Sequence, residues 1–346
     1  MRRFAPLAAP VGAFAALLAV GALFPALRQV LDLALPFFGL ILLGYVAGKL
    51  TDIPESGLAW MQTFVIYIAL PALFFNIIAA TPIGQLANGR FVLLTLSSTA
   101  LIFLIALATS LRRTRDLATS AIQATGGAYA NVGYMGPGLT LVAMGPESAV
   151  PVALIFVFDS LFFFTVVPLL MGVAGARKGS LFDTVRLIVW RVVTHPFNIA
   201  TAAGFVAAAL QMPPPVPIAK LLGLLQGAAA PCALFVMGVT VAQRPLRKIE
   251  SEMPLLLALK LVAHPVMVWV LLSAFWDFGR VWTFSAVLMA SLPPALSVFV
   301  IATQYQTYVE RSSQLVLAGT VASVVTVTAW LYFIAAGAIS YDLFGR

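Results

Sequence analysis

The sequence predicts an all-α membrane protein. Ten transmembrane helices are expected in two inverted five-helix repeats, with the fourth and ninth helices broken where they cross mid-membrane, and with an extra N-terminal hydrophobic helix. Three observations predict it: a composition that cannot face water, an internal repeat at a fixed offset, and paired interruptions in corresponding segments. Of 346 residues, 62% are hydrophobic and only 9% charged, and the mean hydropathy is +1.02. A soluble domain carries roughly a quarter charged residues, so an ordinary cytosolic enzyme and a disordered chain are excluded. The net charge of +8 does not indicate nucleic acid, because the 20 Lys and Arg are spread over short loops, where they set topology. The single cysteine, Cys232, rules out an intrachain disulfide.

About 20 apolar residues are needed to cross the hydrocarbon. Such stretches run over 30–49, 57–81, 91–111, 117–145 and 148–176, then over 192–211, 217–243, 253–276, 281–305 and 312–339. They lack the alternation of barrel strands and are twice too long for them, so helices are the remaining assignment. Ahead of them, 4–27 follows the basic pair Arg2 and Arg3 and is interrupted by Pro6, Pro10 and Pro25. It reads as a retained peripheral helix, with a cleaved signal peptide, an additional span and sequence upstream of a misplaced start as the other readings.

The links 1–2, 3–4, 5–6, 7–8 and 9–10 hold twelve basic residues: Lys49; Arg112, Arg113 and Arg115; Arg177, Lys178, Arg186 and Arg191; Arg244, Arg247 and Lys248; and Arg311. The opposite set holds five: Arg28, Arg90, Lys220, Arg280 and Arg346. The bias places the first set in the cytoplasm, so both ends of the ten-helix core fall on the non-cytoplasmic side of an inner or plasma membrane.

Pro36-Phe37 recurs as Pro196-Phe197, Gly44-Tyr45-Val46-Ala47 as Gly204-Phe205-Val206-Ala207, and Ala69, Pro71 and Phe75 as Ala229, Pro231 and Phe235, each 160 residues further on. The repeat leaves five helices per unit. Five is odd, so the second unit is inverted, as in secondary transporters. The expected division is an N-terminal extension over 1–28, a first repeat over 29–176 and a second, inverted repeat over 177–346.

The fourth segment holds Gly126, Gly127, Gly133, Gly136, Pro137 and Gly138 around Asn131 and Tyr134. The ninth holds Ser291, Pro293, Pro294 and Ser297. Glycine costs a helix about 1 kcal/mol and proline about 3, so both should break, with Pro137 and Pro294 opening new half-helices and Gly136 or Ser291 near the caps. Irregular backbone at that depth survives only against protein or a wet cavity. Two half-helix N-termini aimed at one place favour an anion. The substrate-binding candidates are therefore Asn131, Gly133, Tyr134, Pro137, Ser291, Pro293, Pro294 and Ser297. Kinks that only shape packing are the plainer reading.

At this point the chain resembles the auxin efflux carrier family of membrane transporters. The resemblance is carried by 64–75 (Phe-Val-Ile-Tyr-Ile-Ala-Leu-Pro-Ala-Leu-Phe-Phe), 131–136 (Asn-Val-Gly-Tyr-Met-Gly), 230–234 (Ala-Pro-Cys-Ala-Leu), 292–295 (Leu-Pro-Pro-Ala) and 299–305 (Phe-Val-Ile-Ala-Thr-Gln-Tyr). It covers about 30–339, and the order and spacing of the motifs carry it. It implies a ten-helix fold like that of bile-acid and sodium/proton carriers. Segments 1, 2, 6 and 7 would form a scaffold and homodimer surface, and segments 3–5 and 8–10 a moving transport domain. It further implies a small organic anion, such as a malonate-like dicarboxylate in bacterial members. The chain departs from the plant pattern at Val132, where plant members carry proline, and lacks their long cytoplasmic loop.

Asp159 is the one acid near the middle of a span, where a charge costs from about 3 to more than ~10 kcal/mol. It reads either as an ion-coupling carboxylate, for H+ or Na+, or as a structural cap on freed backbone. Lys260 either snorkels or pairs with Asp159 or a substrate carboxylate. His195 and His264 read as packing residues, and with two His and one Cys no transition-metal site or cofactor is expected. Asn76 and Gln226 should bond across helices. The Gly44/Gly48 and Gly223/Gly227 pairs permit close helix approach. The function these readings support is a secondary active carrier of a small carboxylate or dicarboxylate, with elevator-type alternating access. The alternative is a cation/proton exchanger of related fold, which would ordinarily need two core acids. No Gly-x-Ser-Gly, His-Glu-x-x-His or paired intramembrane aspartates occur, so an enzyme is not expected.

Overall fold

The computed structural model describes residues 25–51, 54–86, 88–175, 196–243 and 249–345, with positions 12, 186, 190, 193 and 194. Most of the helix expected over 4–27 lies outside the described residues. So do Arg2, Arg3, Arg177, Lys178, Arg191, His195, Arg244, Arg247, Lys248 and Arg346.

The described chain is helical throughout. In order, α1 is Pro25–Leu50 and α2 is Glu55–Phe64, which runs through a π-helical turn at Val65–Ala69 into α3, Leu70–Ala79. After the short α4, Ile83–Leu86, come α5, Gly89–Thr114, and α6, Leu117–Ala128. Next are α7, Gly136–Met144, α8, Ala149–Val173, α9, Pro196–Leu210, and α10, Val216–Gln243. The second half continues with α11, Met253–Ala258, which passes through a π-helical turn at Leu259–Ala263 into α12, His264–Phe275. It closes with α13, Gly279–Ser291, α14, Leu296–Gln304, and α15, Val309–Ala335. Among the described residues, six helical runs are long and apolar enough to cross a membrane: Gly57–Ala79, Gly89–Thr114, Pro146–Val173, Val216–Gln243, Met253–Phe275 and Val309–Ala335. The protein is an integral membrane protein.

Local chemistry explains the element ends. The Asn88 side chain accepts from the Phe91 N–H at 3.2 Å to start α5, and Asp116 accepts from the Thr119 N–H at 2.8 Å to start α6. Arg115 ends α5 in the left-handed conformation, φ 54°. Each π-helical turn precedes a proline, Pro71 or Pro265. A proline removes the N–H that would reach back one turn, to Tyr67 or Leu261, and the widened turn absorbs the loss.

Packing joins α10 to α1, α9 to α3, α5 to α6 and α12 to α13. The α1–α10 contact is backbone against backbone. A Cβ on Gly44 would fall on the Phe235 carbonyl, and one on Gly48 would stand 2.8 Å from the Ala242 Cβ. Gly238 returns the same approach onto Ile41. By contrast, no described residue comes within 4 Å of a Cβ placed on Gly223 or Gly227. Asn76 Nδ2 donates to Gln226 Oε1 at 2.9 Å, so these amides do bond across helices.

The links sort by end. At one end Arg113 donates to the Ser251 carbonyl at 3.2 Å and to its hydroxyl, Tyr308 donates to Glu252 Oε1 at 2.7 Å, and Arg311 pairs with Glu250 and Glu252. Burial, reinforced by the Glu252 carboxylate, holds the Tyr308 phenol well above its ordinary range. At the other end the Arg90 guanidinium lies 3.9 Å from the Trp276 ring centroid, and Arg280 donates to the Ile334 carbonyl.

Candidate functional site

Both expected interruptions are present, and they lie against each other. Between α6 and α7, Tyr129 leaves the helix with φ −76° and ψ 107°. Between α13 and α14, Leu292 and Ala295 are extended, with ψ 153° and 144°. Ala130 and Pro294 face one another in an antiparallel bridge. The Asn131 N–H donates to the Pro293 carbonyl at 2.8 Å, and the Ala295 N–H donates to the Tyr129 carbonyl at 2.9 Å. Each break thus satisfies backbone that the other leaves free.

The half-helices begin differently from expectation. Pro137 is the second residue of α7, whose N-cap is Met135. Pro294 does not open α14, which starts two residues later at Leu296. Consecutive prolines explain this, because a residue preceding proline is pushed out of the helical region; Leu292 is extended and the helix resumes only at Leu296. Ser291 caps nothing ahead of it; its hydroxyl donates back to the Leu288 carbonyl at 2.8 Å.

A cavity of about 840 Å³ ends on this junction. Tyr129, Ala130, Asn131, Gly133 and Tyr134 line it from the first break, and Ala295, Leu296 and Ser297 from the second. Asn131 is only 1% exposed. Its Oδ1 accepts from the Tyr134 N–H at 3.3 Å, and its Nδ2 lies 3.5 Å from the Met237 sulfur, a weak acceptor. Gly133 is required by space, since a Cβ there would stand 2.7 Å from the Phe156 ring. Of the candidates, Asn131, Gly133, Tyr134 and Ser297 form cavity wall. Pro137, Ser291, Pro293 and Pro294 lie behind it and shape the junction, with Pro294 seated on Gly319. The two half-helix starts are not equivalent: that of α14 opens into the cavity, whereas Gly136 at the start of α7 backs onto Met289.

The described lining carries hydroxyls and amides but no charged side chain. Its outer part includes Gln62, Thr194, Gln243 and Gln304. Gln243 and Gln304 are the last residues of α10 and α14, next to links 7–8 and 9–10.

Asp159 and Lys260 do not line the cavity. They are 3% and 0% exposed, so Lys260 does not snorkel. The Thr99 hydroxyl donates to Asp159 Oδ1 at 3.1 Å and lies 3.2 Å from His264 Nε2, and Lys260 Nζ lies 3.2 Å from His264 Nδ1. Lys260 also donates to the Ala290 carbonyl, one residue from the end of α13. The π-helical turn at Leu259–Ala263 carries Lys260 inward at this point. Thr99 and His264 were not singled out as functional by the sequence. A threonine in an apolar helix and a histidine before a proline give no signal until their neighbours are known. The Tyr129 hydroxyl pairs with Ser160 at 3.2 Å, joining cavity wall to the residue beside Asp159.

The profile of the membrane transport protein family matches residues 29–331. The chain is 45% identical over 319 residues, 92% of its length and 100% of the relative's, to a Rhizobium meliloti (strain 1021) protein named "Putative malonate transporter". It is 25% identical over 296 residues, 84% of its length and 94% of the relative's, to an "Uncharacterized transporter" of Methanothermobacter thermautotrophicus. The chain therefore belongs to the membrane transport protein family, the auxin efflux carrier family whose motifs it carries.

Proposed function

We propose that the protein is a secondary active carrier of a small carboxylate or dicarboxylate, with malonate as the first candidate substrate. The observation that carries this reading is the uncharged cavity, with hydroxyls and amides set among apolar side chains, ending where two broken helices are bonded together. One carboxylate fits the Asn131 amide, the Ser297 hydroxyl and the open start of α14, where backbone N–H groups favour negative charge. The name of the Rhizobium relative supports malonate among small dicarboxylates.

In this reading, ten spanning segments in two inverted repeats divide into a scaffold of segments 1, 2, 6 and 7 and a transport domain of segments 3–5 and 8–10. The backbone contact of α1 with α10 supports the first group, and the bonded breaks support the second. The transport domain moves past the scaffold as an elevator within a homodimer in the inner membrane. Gln243 and Gln304 adjoin links on the side that holds more Lys and Arg in total, which supports an inward-facing conformation. Export of an anion from a negative interior is electrically downhill, whereas uptake needs H+ or Na+, since moving one charge through 100 mV is worth about 2.3 kcal/mol. Asp159 and Lys260 are the groups proposed for that coupling.

Uptake of radiolabelled malonate into proteoliposomes, with thermal shifts of the purified protein, tests the reading. Malonate should raise the melting temperature and be transported, and Asn131→Ala should abolish both. Unaltered malonate stabilisation and transport by Asn131→Ala would reject the site. Asp159 gives the alternative, a cation/proton exchanger, its support; cation-driven proton flux without any anion would favour it.

A further inference from the structure

Lys260, His264, Thr99 and Asp159 form one continuous line of contacts across three helical runs, ending at the Ala290 carbonyl on a fourth. All four side chains are essentially inaccessible to solvent. The titratable groups facing one another here are Asp159, Lys260, His264 and the Tyr129 phenol.

The chemistry of the four groups dictates one set of proton positions when the ends are charged. A carboxylate only accepts, and an ammonium only donates. The single Thr99 proton goes to Asp159, so the Thr99 oxygen must accept from His264 Nε2–H. That leaves Nδ1 bare, and it accepts from Lys260. Every donor then points the same way, from ammonium to carboxylate.

We propose that this line is a proton path by which Lys260 delivers a proton to Asp159 without water, with Thr99 and His264 as its conducting members. In the transfer an N–H bond of Lys260 breaks as Nδ1–H forms on His264. The Nε2–H of His264 breaks as an O–H forms on Thr99, and the original Thr99 O–H breaks as an O–H forms on Asp159. The product is a neutral amine, an Nδ1-protonated imidazole and a carboxylic acid, with atoms and net charge conserved. A buried ion pair becomes a neutral set, which removes the desolvation burden of two charges. A proton taken up from solution by the amine then leaves the set with one net positive charge, which offsets a carboxylate travelling with it. The path stands on the contacts alone; its role in coupling rests on the carrier reading.

The first test needs no substrate. Nitrogen-15 histidine NMR of the full chain, with His195→Gln to assign the two histidines, should find His264 neutral with its proton on Nε2. An imidazolium at neutral pH overturns the proposal, because neither ring nitrogen could then accept from Lys260, whereas a proton on Nδ1 marks the transferred state, in which Asp159 must be protonated. The second test compares pH-gradient-driven with voltage-driven malonate uptake. Thr99→Val should lose at least tenfold of the gradient-driven part, as Asp159→Asn should, and Thr99→Ser should restore it. Gradient dependence retained by Thr99→Val overturns the proposal. If malonate is not carried at all, the carrier reading fails while the NMR result still decides the path.

Discussion

Asn131 and Lys260 are buried polar residues with different accounts to settle. Asn131 lies against the cavity with one weak sulfur contact on its amide nitrogen, so it retains donor capacity for a ligand. Lys260 is fully enclosed and must keep its partners. Lys260 and Asp159 are joined only through Thr99 and His264, so removing the carboxylate leaves a buried polar line with an unsatisfied member, which costs about 1–3 kcal/mol. Asp159→Asn should therefore lower stability by roughly that amount. Asp159→Asn combined with Lys260→Met should be less destabilised than the sum of the two single changes, because both residues belong to one hydrogen-bonded line; denaturation of the four proteins in one detergent checks this. Additive losses would show that the two residues act independently. The sequence marked both ends of this line, since an acid and a lysine in apolar spans are costly wherever they point. It could not mark Thr99 or His264, which lie 60 and 105 residues from Asp159 and gain meaning only when folding brings them together.

Helix ends and helix contacts were legible wherever the residue itself creates the constraint. The glycines of 44–48 act through their own geometry and do so here, whereas Asp116, which caps 117–128, was not singled out in the sequence. The start of α14 was misplaced because the effect of Pro294 on Pro293, and of Pro293 on Leu292, extends the break further than one proline would. Gly223 and Gly227 share the spacing of Gly44 and Gly48, yet no described residue approaches them within 4 Å, so spacing alone did not distinguish a used face from an unused one. Gly238→Val should cause a loss of folded protein and a lowered melting temperature, because the new Cβ meets backbone. Gly223→Ala should gain up to about 1 kcal/mol from helix propensity. Hydrogen bonds from Thr119 hold the Asp116 carboxyl below the usual value of 3.8. The stabilisation it gives is thus present above that value and lost as pH falls through its lower folded-state value. Asp116→Ala should cost about 1 kcal/mol at neutral pH, and the difference from wild type should vanish in strong acid.

The two ends of the bundle could be told apart in the sequence by their Lys and Arg, and the folded chain groups the same links: 3–4, 7–8 and 9–10 meet through Arg113, Ser251, Glu252 and Tyr308. What the sequence could not give is which end the cavity opens towards, because that depends on the conformation adopted. The chain has a single cysteine, so access can be measured cleanly. In a Cys232→Ser background, Gln304→Cys should react with a membrane-impermeant maleimide in inside-out vesicles and resist it in right-side-out ones. The reverse pattern would place the opening on the other side.

The join between the two interrupted helices is made from main-chain atoms alone: the amide of residue 131 to the carbonyl of residue 293, and the amide of residue 295 to the carbonyl of residue 129. No side chain makes these two bonds, so, apart from Gly133 and the prolines that shape the breaks, cavity chemistry can be changed while the seam holds. Only a change that deletes the amide hydrogen itself, proline at 131 or 295, cuts a stitch. In the carrier we propose, the halves on either side of that seam would travel as one piece.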